Sequence, residues 1–223
     1  MSAAAIREGL TLDQVTLQLS GERLFGPLSL RIASGEIVAI TGESGAGKSS
    51  LLAWICGVLP ASFSAQGRLR LDGADITSVP TEQRRIGILF QDDLLFPHLS
   101  VAANLAFGLR SGDGTDRRAR AAEIAQALDS VGLAGYAGRD PATLSGGQRA
   151  RVALLRVLLA KPRAVLLDEP FSKLDPRNRE AVRTLVFERC RRAGVPTLLV
   201  THDASDTAAA GGRVFNLNAA AAD

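Results

Sequence analysis

Lysine is nearly absent from this 223-residue chain. Of its 26 basic residues only Lys48, Lys161 and Lys173 are lysine and the rest are arginine, so each surviving lysine calls for a reason. Cysteine is also scarce. Cys56 and Cys190 stand far apart with no Cys-x-x-Cys spacing, which argues against a disulfide framework or a zinc site and fits a reducing cytoplasm. Long apolar runs are missing too. Leu51 to Ala61 and Val152 to Ala160 fall short of the ~20 residues a membrane-spanning helix needs, and Arg156 interrupts the second. Met1 to Gly9 carries Arg7 and Glu8 but no long apolar core, so no signal peptide is expected. A net charge of only +3 creates no demand for a nucleic-acid or anionic-membrane partner. What remains is an ordinary folded composition, 46% hydrophobic and 22% charged, which excludes a disordered or collagen-like chain. A chain of this length buries roughly 70% of its unfolded surface.

The hydrophobic periods divide the chain. Leu10 to Leu19 alternates, with one slip around Asp13, and Leu24 to Ile32 alternates again after a Gly21-Glu22 turn. Both predict half-buried antiparallel strands. Ile37 to Ile40 is continuously apolar, as suits a strand buried on both faces, and it runs through a Gly/Ser-rich turn into a helix, Lys48 to Gly57. Gly67 to Leu71 and Ile86 to Phe90 read as further strands. Helical spacing then takes over at Val101 to Leu109 and Arg117 to Val131, with an exposed loop at Ser111 to Asp116 between them. A helix at Gly147 to Leu159, strands at Ala164 to Leu167, Thr197 to Val200 and Val214 to Leu217, and helices at Pro176 to Ala193 and Asp203 to Ala210 restore the α/β rhythm. The tail Ala219 to Ala222 is expected to fray. The expectation is a single α/β domain, 1–223: a mainly parallel sheet with an N-terminal antiparallel β layer (1–91 and 150–223) and an inserted helical subdomain (92–149).

The chemistry concentrates in a few segments. Gly42-Glu43-Ser44-Gly45-Ala46-Gly47-Lys48-Ser49 is a P-loop pattern with a buried strand before it and a helix after it. Its glycines let successive N–H groups point at phosphate oxygens, and the helix N-terminus adds its dipole. Lys48 supplies a full charge to the β- and γ-phosphates, Ser49 a hydroxyl for Mg²⁺, and Ser50 a donor to the α-phosphate. The run Ala164 to Leu167 ends in Asp168-Glu169, at the carboxyl end of a strand where open parallel sheets bind ligands. Asp168 is placed to hold Mg²⁺ through a water, and Glu169 to deprotonate the attacking water. No Asn-Lys-x-Asp guanine-reading segment is present, which weakens a GTPase reading. Finally, Ser145 is a natural N-cap and Gly146 and Gly147 offer N–H groups at a second helix start. One chain has no evident need for two phosphate sites on one nucleotide. The economical explanation is that the second reads the γ-phosphate held by another copy.

Leu144-Ser145-Gly146-Gly147-Gln148 resembles the signature motif of the ATP-binding subunits of ABC transporters, and the other motifs follow in that family's order. Gln91 resembles the Q-loop glutamine, Ser172-Lys173-Leu174-Asp175 the D-loop, and His202 the switch histidine. Leu95 to Val101 and Asn104 are similar to the flank found in the importer-associated branch. The resemblance covers about residues 10 to 217. It implies the P-loop NTPase fold, ATP and Mg²⁺ as cofactors, and a head-to-tail dimer with two ATP sandwiched between Lys48 loops and Ser145–Gln148 loops. Gln91 would touch Mg²⁺ or the lytic water, and His202 would donate to the γ-phosphate. The implied partners are a second copy, integral membrane permease subunits docking near Gln91 to Leu109, and a separate substrate-binding protein, with the chain peripheral at the cytoplasmic face of the inner membrane. An exporter subunit or a non-transport ATPase of the cofactor-assembly type is the alternative. One departure stands out. The family carries an adenine-stacking aromatic roughly two dozen residues before the P-loop, where this chain has Leu19, and Phe25 is expected to point into the core.

Overall fold

The computed structural model describes residues 8–109 and 116–218. The expected loop at Ser111 to Asp116, apart from Asp116 itself, and the tail Ala219 to Ala222 lie outside them. The chain forms two compact units, one of residues 1–86, 163–169 and 187–223 and one of residues 87–162 and 170–186.

The first unit holds two sheets. In the antiparallel one, β1 (Leu10–Leu19) lies between β2 (Glu22–Ile32) and β4 (Phe63–Leu71), and the short β5 (Ala74–Asp75) pairs with β4. The slip near Asp13 is real. The β1–β4 register jumps between Asp13 and Thr16, and Gln14 sits at φ 52° with its amide bonded to Ser29 Oγ at 3.0 Å. Alternation places Leu10, Leu12, Val15 and Leu17 on the buried face. The parallel sheet runs β7 (Ala164–Asp168), β8 (Thr197–Val200), β3 (Ile37–Thr41) and β9 (Val214–Asn216). Its central strands carry continuous apolar runs, Ile37 to Ile40, Ala164 to Leu167 and Leu198 to Val200, all buried, as suits strands covered on both faces.

α1 (Lys48–Cys56) follows β3 and ends at Gly57 in the left-handed conformation. Its last carbonyls meet a buried cation. Arg84, from the short helix α2 (Thr81–Arg84), donates to the carbonyls of Trp54 and Ile55 at 2.8 Å each, and to those of Val79 and Thr77 at 2.7 and 2.8 Å. Trp54 and Cys56 are core residues. Burial pushes the thiols of Cys56 and Cys190 up to about 11, which keeps both inert.

β6 (Ile86–Leu89) leads into the second unit, which is mostly helical: α3 (Val101–Gly108), α4 (Arg117–Asp129), α5 (Gly146–Leu159) and the first part of α6 (Pro176–Arg192). The unit starts at Gly87 and reaches past residue 149, where α5 supplies Val152 and Leu155 to a core shared with Val101, Leu105, Ile124, Leu128 and Leu144. The closest approach is at Gly108, where a Cβ would lie 2.2 Å from the Arg156 carbonyl oxygen. Asp116 caps α4, accepting from the Arg118 amide. α7 (Ala204–Ala210) completes the first unit, with Asp203 as its N-cap. Two helix-borne arginines are engaged: Arg120 reaches the Ala106 carbonyl, and Arg191 donates to Ala210 O at 2.6 Å while stacking over Phe187.

Candidate functional site

The loop between β3 and α1 is held by its own lysine. Lys48 Nζ donates to the carbonyl oxygens of Gly42 and Glu43, each at 2.7 Å. Gly47 takes φ 86° directly before the helix, and a Cβ there would press on the Phe25 ring at 3.0 Å. No side chain caps α1, so its first-turn N–H groups are available to an anion. Asn218 braces the loop, its Oδ1 accepting from the Glu43 amide at 3.2 Å. Sequence reading missed this residue, which follows β9 and has no motif to mark it.

Two carboxylates lie beside the loop at the end of β7. Ser49, in the first turn of α1, lies near enough to Asp168 to favour its charged form. Burial pushes the Asp168 carboxyl above its ordinary range, the neighbouring charge of Glu169 adds to this, and Ser49 and Lys48 pull the other way. Glu169 has φ 45°, an uncommon conformation for a non-glycine residue. Its amide donates to the Val200 carbonyl at 2.9 Å, which ties it to the strand that leads to His202. His202 Nδ1 stands 3.1 Å from Glu169 Oε1. Thr201, 2% exposed, holds this turn: it donates to Asp206 Oδ2 at 3.0 Å and accepts from the Asp203 amide at 3.1 Å. Thr201 also escaped the sequence reading, because a lone threonine after a strand carries no signal.

Leu19, Ser44, Gly45, Gly47, Lys48, Ser49, Ser50 and Glu169 line one cleft of about 350 Å³, together with Leu24 and Phe63. That volume suits a small-molecule ligand. Gly42 and Glu43 contribute the carbonyls that Lys48 holds, and Ala46 is half-buried behind the loop. Hard oxygen donors and a desolvated carboxylate beside a phosphate-type loop fit a magnesium ion, which takes one or two protein oxygens and completes its shell from substrate and water. Among the described residues no group of three or more His, Cys, Asp or Glu side chains converges on a metal position.

The remaining expected residues lie in the second unit. Ser145 forms a capping box with Gln148: its hydroxyl accepts from the Gln148 amide at 3.3 Å, and Gln148 Oε1 accepts from the Ser145 amide at 2.9 Å. Gln148 also donates to the Tyr136 hydroxyl at 3.3 Å. The residues closest to a free helix N-terminus are therefore Gly146 and Gly147. Gln91 is exposed and lies past the end of β6 rather than closing it, since the strand stops at Leu89. Gln91 and Gly146 share a hollow with Lys173, which forms an ion pair with Asp92. Asn104, fully buried, holds the preceding turn through Phe96 N, Phe96 O, Leu99 O and Ser100 O at 2.8 to 3.1 Å. His98 packs near Phe96, with ring centroids 6.0 Å apart.

Known proteins supply an independent comparison. The family model described as ABC transporter matches residues 25–172. The chain is 47% identical over 200 residues to the uncharacterised ABC transporter ATP-binding protein YnjD of Escherichia coli, covering 90% of this chain and 91% of that protein. It is 45% identical to the thiamine import ATP-binding protein ThiQ of a Jannaschia species, over 79% of this chain and 76% of that one. It is 41% identical to the Fe(3+) ions import ATP-binding protein FbpC of Streptomyces coelicolor over 92% of this chain, yet spans only 58% of that relative. With the phosphate loop, the paired acids and the capped signature turn in place, this chain belongs to the ABC transporter family.

Proposed function

We propose that this chain is the ATP-hydrolysing subunit of an importer, working as a head-to-tail homodimer beneath a separate membrane permease. ATP-binding subunits are what its relatives are named for, several of them in import systems. The single observation that carries the catalytic reading is a cleft lined by the Lys48 loop, Ser49 and Glu169, with Asp168 directly before Glu169 and His202 Nδ1 3.1 Å from the Glu169 carboxylate. Lys48 and the N-terminus of α1 bind the triphosphate and spread its charge. Glu169 accepts a proton from the lytic water as that water's oxygen bonds to the γ-phosphorus and the bond to the bridging oxygen breaks, releasing ADP. His202 orients Glu169. Ser49 and Asp168 would hold Mg²⁺, which neutralises phosphate charge when bound. Positioning and charge stabilisation carry most of such a reaction.

The Ser145 turn supports a sandwich with a second copy, because Gly146 and Gly147 start a helix whose N-terminus is suited to a phosphate. Loss of the γ-phosphate that joins the two copies then opens the dimer, and differential affinity becomes motion. Gln91 to Leu109 is the proposed permease dock, with Leu94 exposed and Phe96 and Leu99 beside it. No helix among the described residues is long and apolar enough to cross a membrane, so the membrane step belongs to the partner. The test is Glu169→Gln in steady-state ATPase assays and gel filtration. Lost turnover with an ATP-dependent shift to a dimer supports the reading; unchanged turnover removes Glu169 from its role.

A further inference from the structure

The cleft has two chemically different ends. Lys48, Ser49, Ser50 and Glu169 make one polar, while Leu19, Leu24 and Phe63 make the other apolar. A ligand that fills both would carry anionic groups at one end and an apolar body at the other, as a nucleotide does with its flat base. Leu19 brings no π face to that body. Its antiparallel partner does: Phe63, the first residue of β4, is registered against Leu19, and directly paired residues project to the same face of a sheet. Phe63 is only partly buried, so ring surface is open to the cleft it lines. Its position is fixed from both sides. The Phe63 amide donates to Pro60 O at 3.0 Å, the Ser20 amide to Ser62 O at 3.1 Å, and the Ser64 hydroxyl to Gln18 Oε1 at 3.2 Å.

We propose that Phe63 is the residue that stacks on the nucleobase, taking over from β4 the contact that Leu19 on β1 cannot make. This rests on the nucleotide reading above and adds a base-contacting residue to it. Stacking reads the face of a ring and not its edge, so the contact is tolerant of base identity. Phe63 therefore strengthens ATP and GTP binding alike and contributes nothing to the triphosphate.

Calorimetric titration of the full chain with Mg–ATP, Mg–GTP and Mg–tripolyphosphate tests this. In Phe63→Ala and Phe63→Leu, affinity for both nucleotides is expected to fall roughly tenfold, with tripolyphosphate affinity unchanged. Phe63→Trp is expected to retain nucleotide affinity. The leucine variant keeps the apolar bulk, so it separates a lost π face from disturbed packing, and with the tryptophan variant it decides the matter should the alanine variant fail to fold. Unchanged nucleotide affinity in Phe63→Leu, or an equal fall for tripolyphosphate, overturns the proposal. Wild-type protein that binds neither tripolyphosphate nor nucleotide overturns the nucleotide reading itself, a distinguishable failure.

Discussion

His202 Nδ1 and Glu169 Oε1 lie 3.1 Å apart, with the imidazole largely exposed and the carboxylate mostly covered. The imidazole can therefore fix the carboxylate's direction while still reaching toward a ligand. Glu169→Gln removes the proton acceptor and keeps the shape, so phosphate release is expected to fall about 10²- to 10⁴-fold with ATP still bound. His202→Ala is expected to lower turnover while leaving ATP affinity within a few-fold. Single-turnover phosphate release, measured beside equilibrium binding, checks both.

Asp168 is held against its chemistry. Its carboxyl is pushed up mainly by burial, so the charged form is the less favourable one in the fold. The penalty is absent where the carboxyl is protonated in both states, grows as pH rises past the ordinary carboxylate range, and is complete above the raised folded value. Asp168→Asn is therefore expected to stabilise the ligand-free protein at pH 7 to 8, by a few degrees in melting temperature for each kcal/mol or so recovered. The gain should shrink as pH falls toward 4, and magnesium-dependent hydrolysis should be lost. Thermal melts across pH, with and without Mg–ATP, measure it. A variant that melts lower than the parent at pH 8 contradicts this account.

Arg84 satisfies the carbonyl end of α1 from within the core. Arg84→Ala takes the guanidinium from the carbonyls of Ile55, Val79 and Thr77, while the Trp54 carbonyl keeps the Gly57 amide at 3.0 Å, and buried unsatisfied groups cost about 1–3 kcal/mol each. We expect a loss of at least about 2 kcal/mol in urea unfolding, with the slope unchanged.

Asn104 makes four hydrogen bonds to the main chain of residues 96–100. Asn104→Leu is expected to leave α3 folded but to speed amide exchange at Phe96 markedly, and to uncouple transport from hydrolysis in reconstituted vesicles. Exchange at Phe96 equal to the parent's would show that the turn holds itself.

Much of the site is local in sequence, which is why it was legible. The loop from Gly42 to Ser49 is contiguous, Asp168 and Glu169 follow an apolar run, and Ser145 announces a helix by its own hydrogen bond. The strands and long helices came from period alone and fall within a few residues of expectation. What escaped is non-local or too short to have a period. Phe63 meets Leu19 only because β4 returns alongside β1, Asn218 meets Glu43 across the length of the chain, and β5 and α2 are two and four residues long. The positive φ of Glu169 is invisible in its residue type, since glutamate rarely adopts it.

Gly108 leaves no room for a side chain between α3 and α5, and Arg156 opposite it also donates to Leu94 O and Asp93 O and lies over the Phe96 ring. The turn at 96–100, the helix after it and the helix that begins at Ser145 are thus clamped into one stiff lever. A push delivered on the turn would meet these direct contacts and be handed to the helix that begins with the glycines beside Ser145.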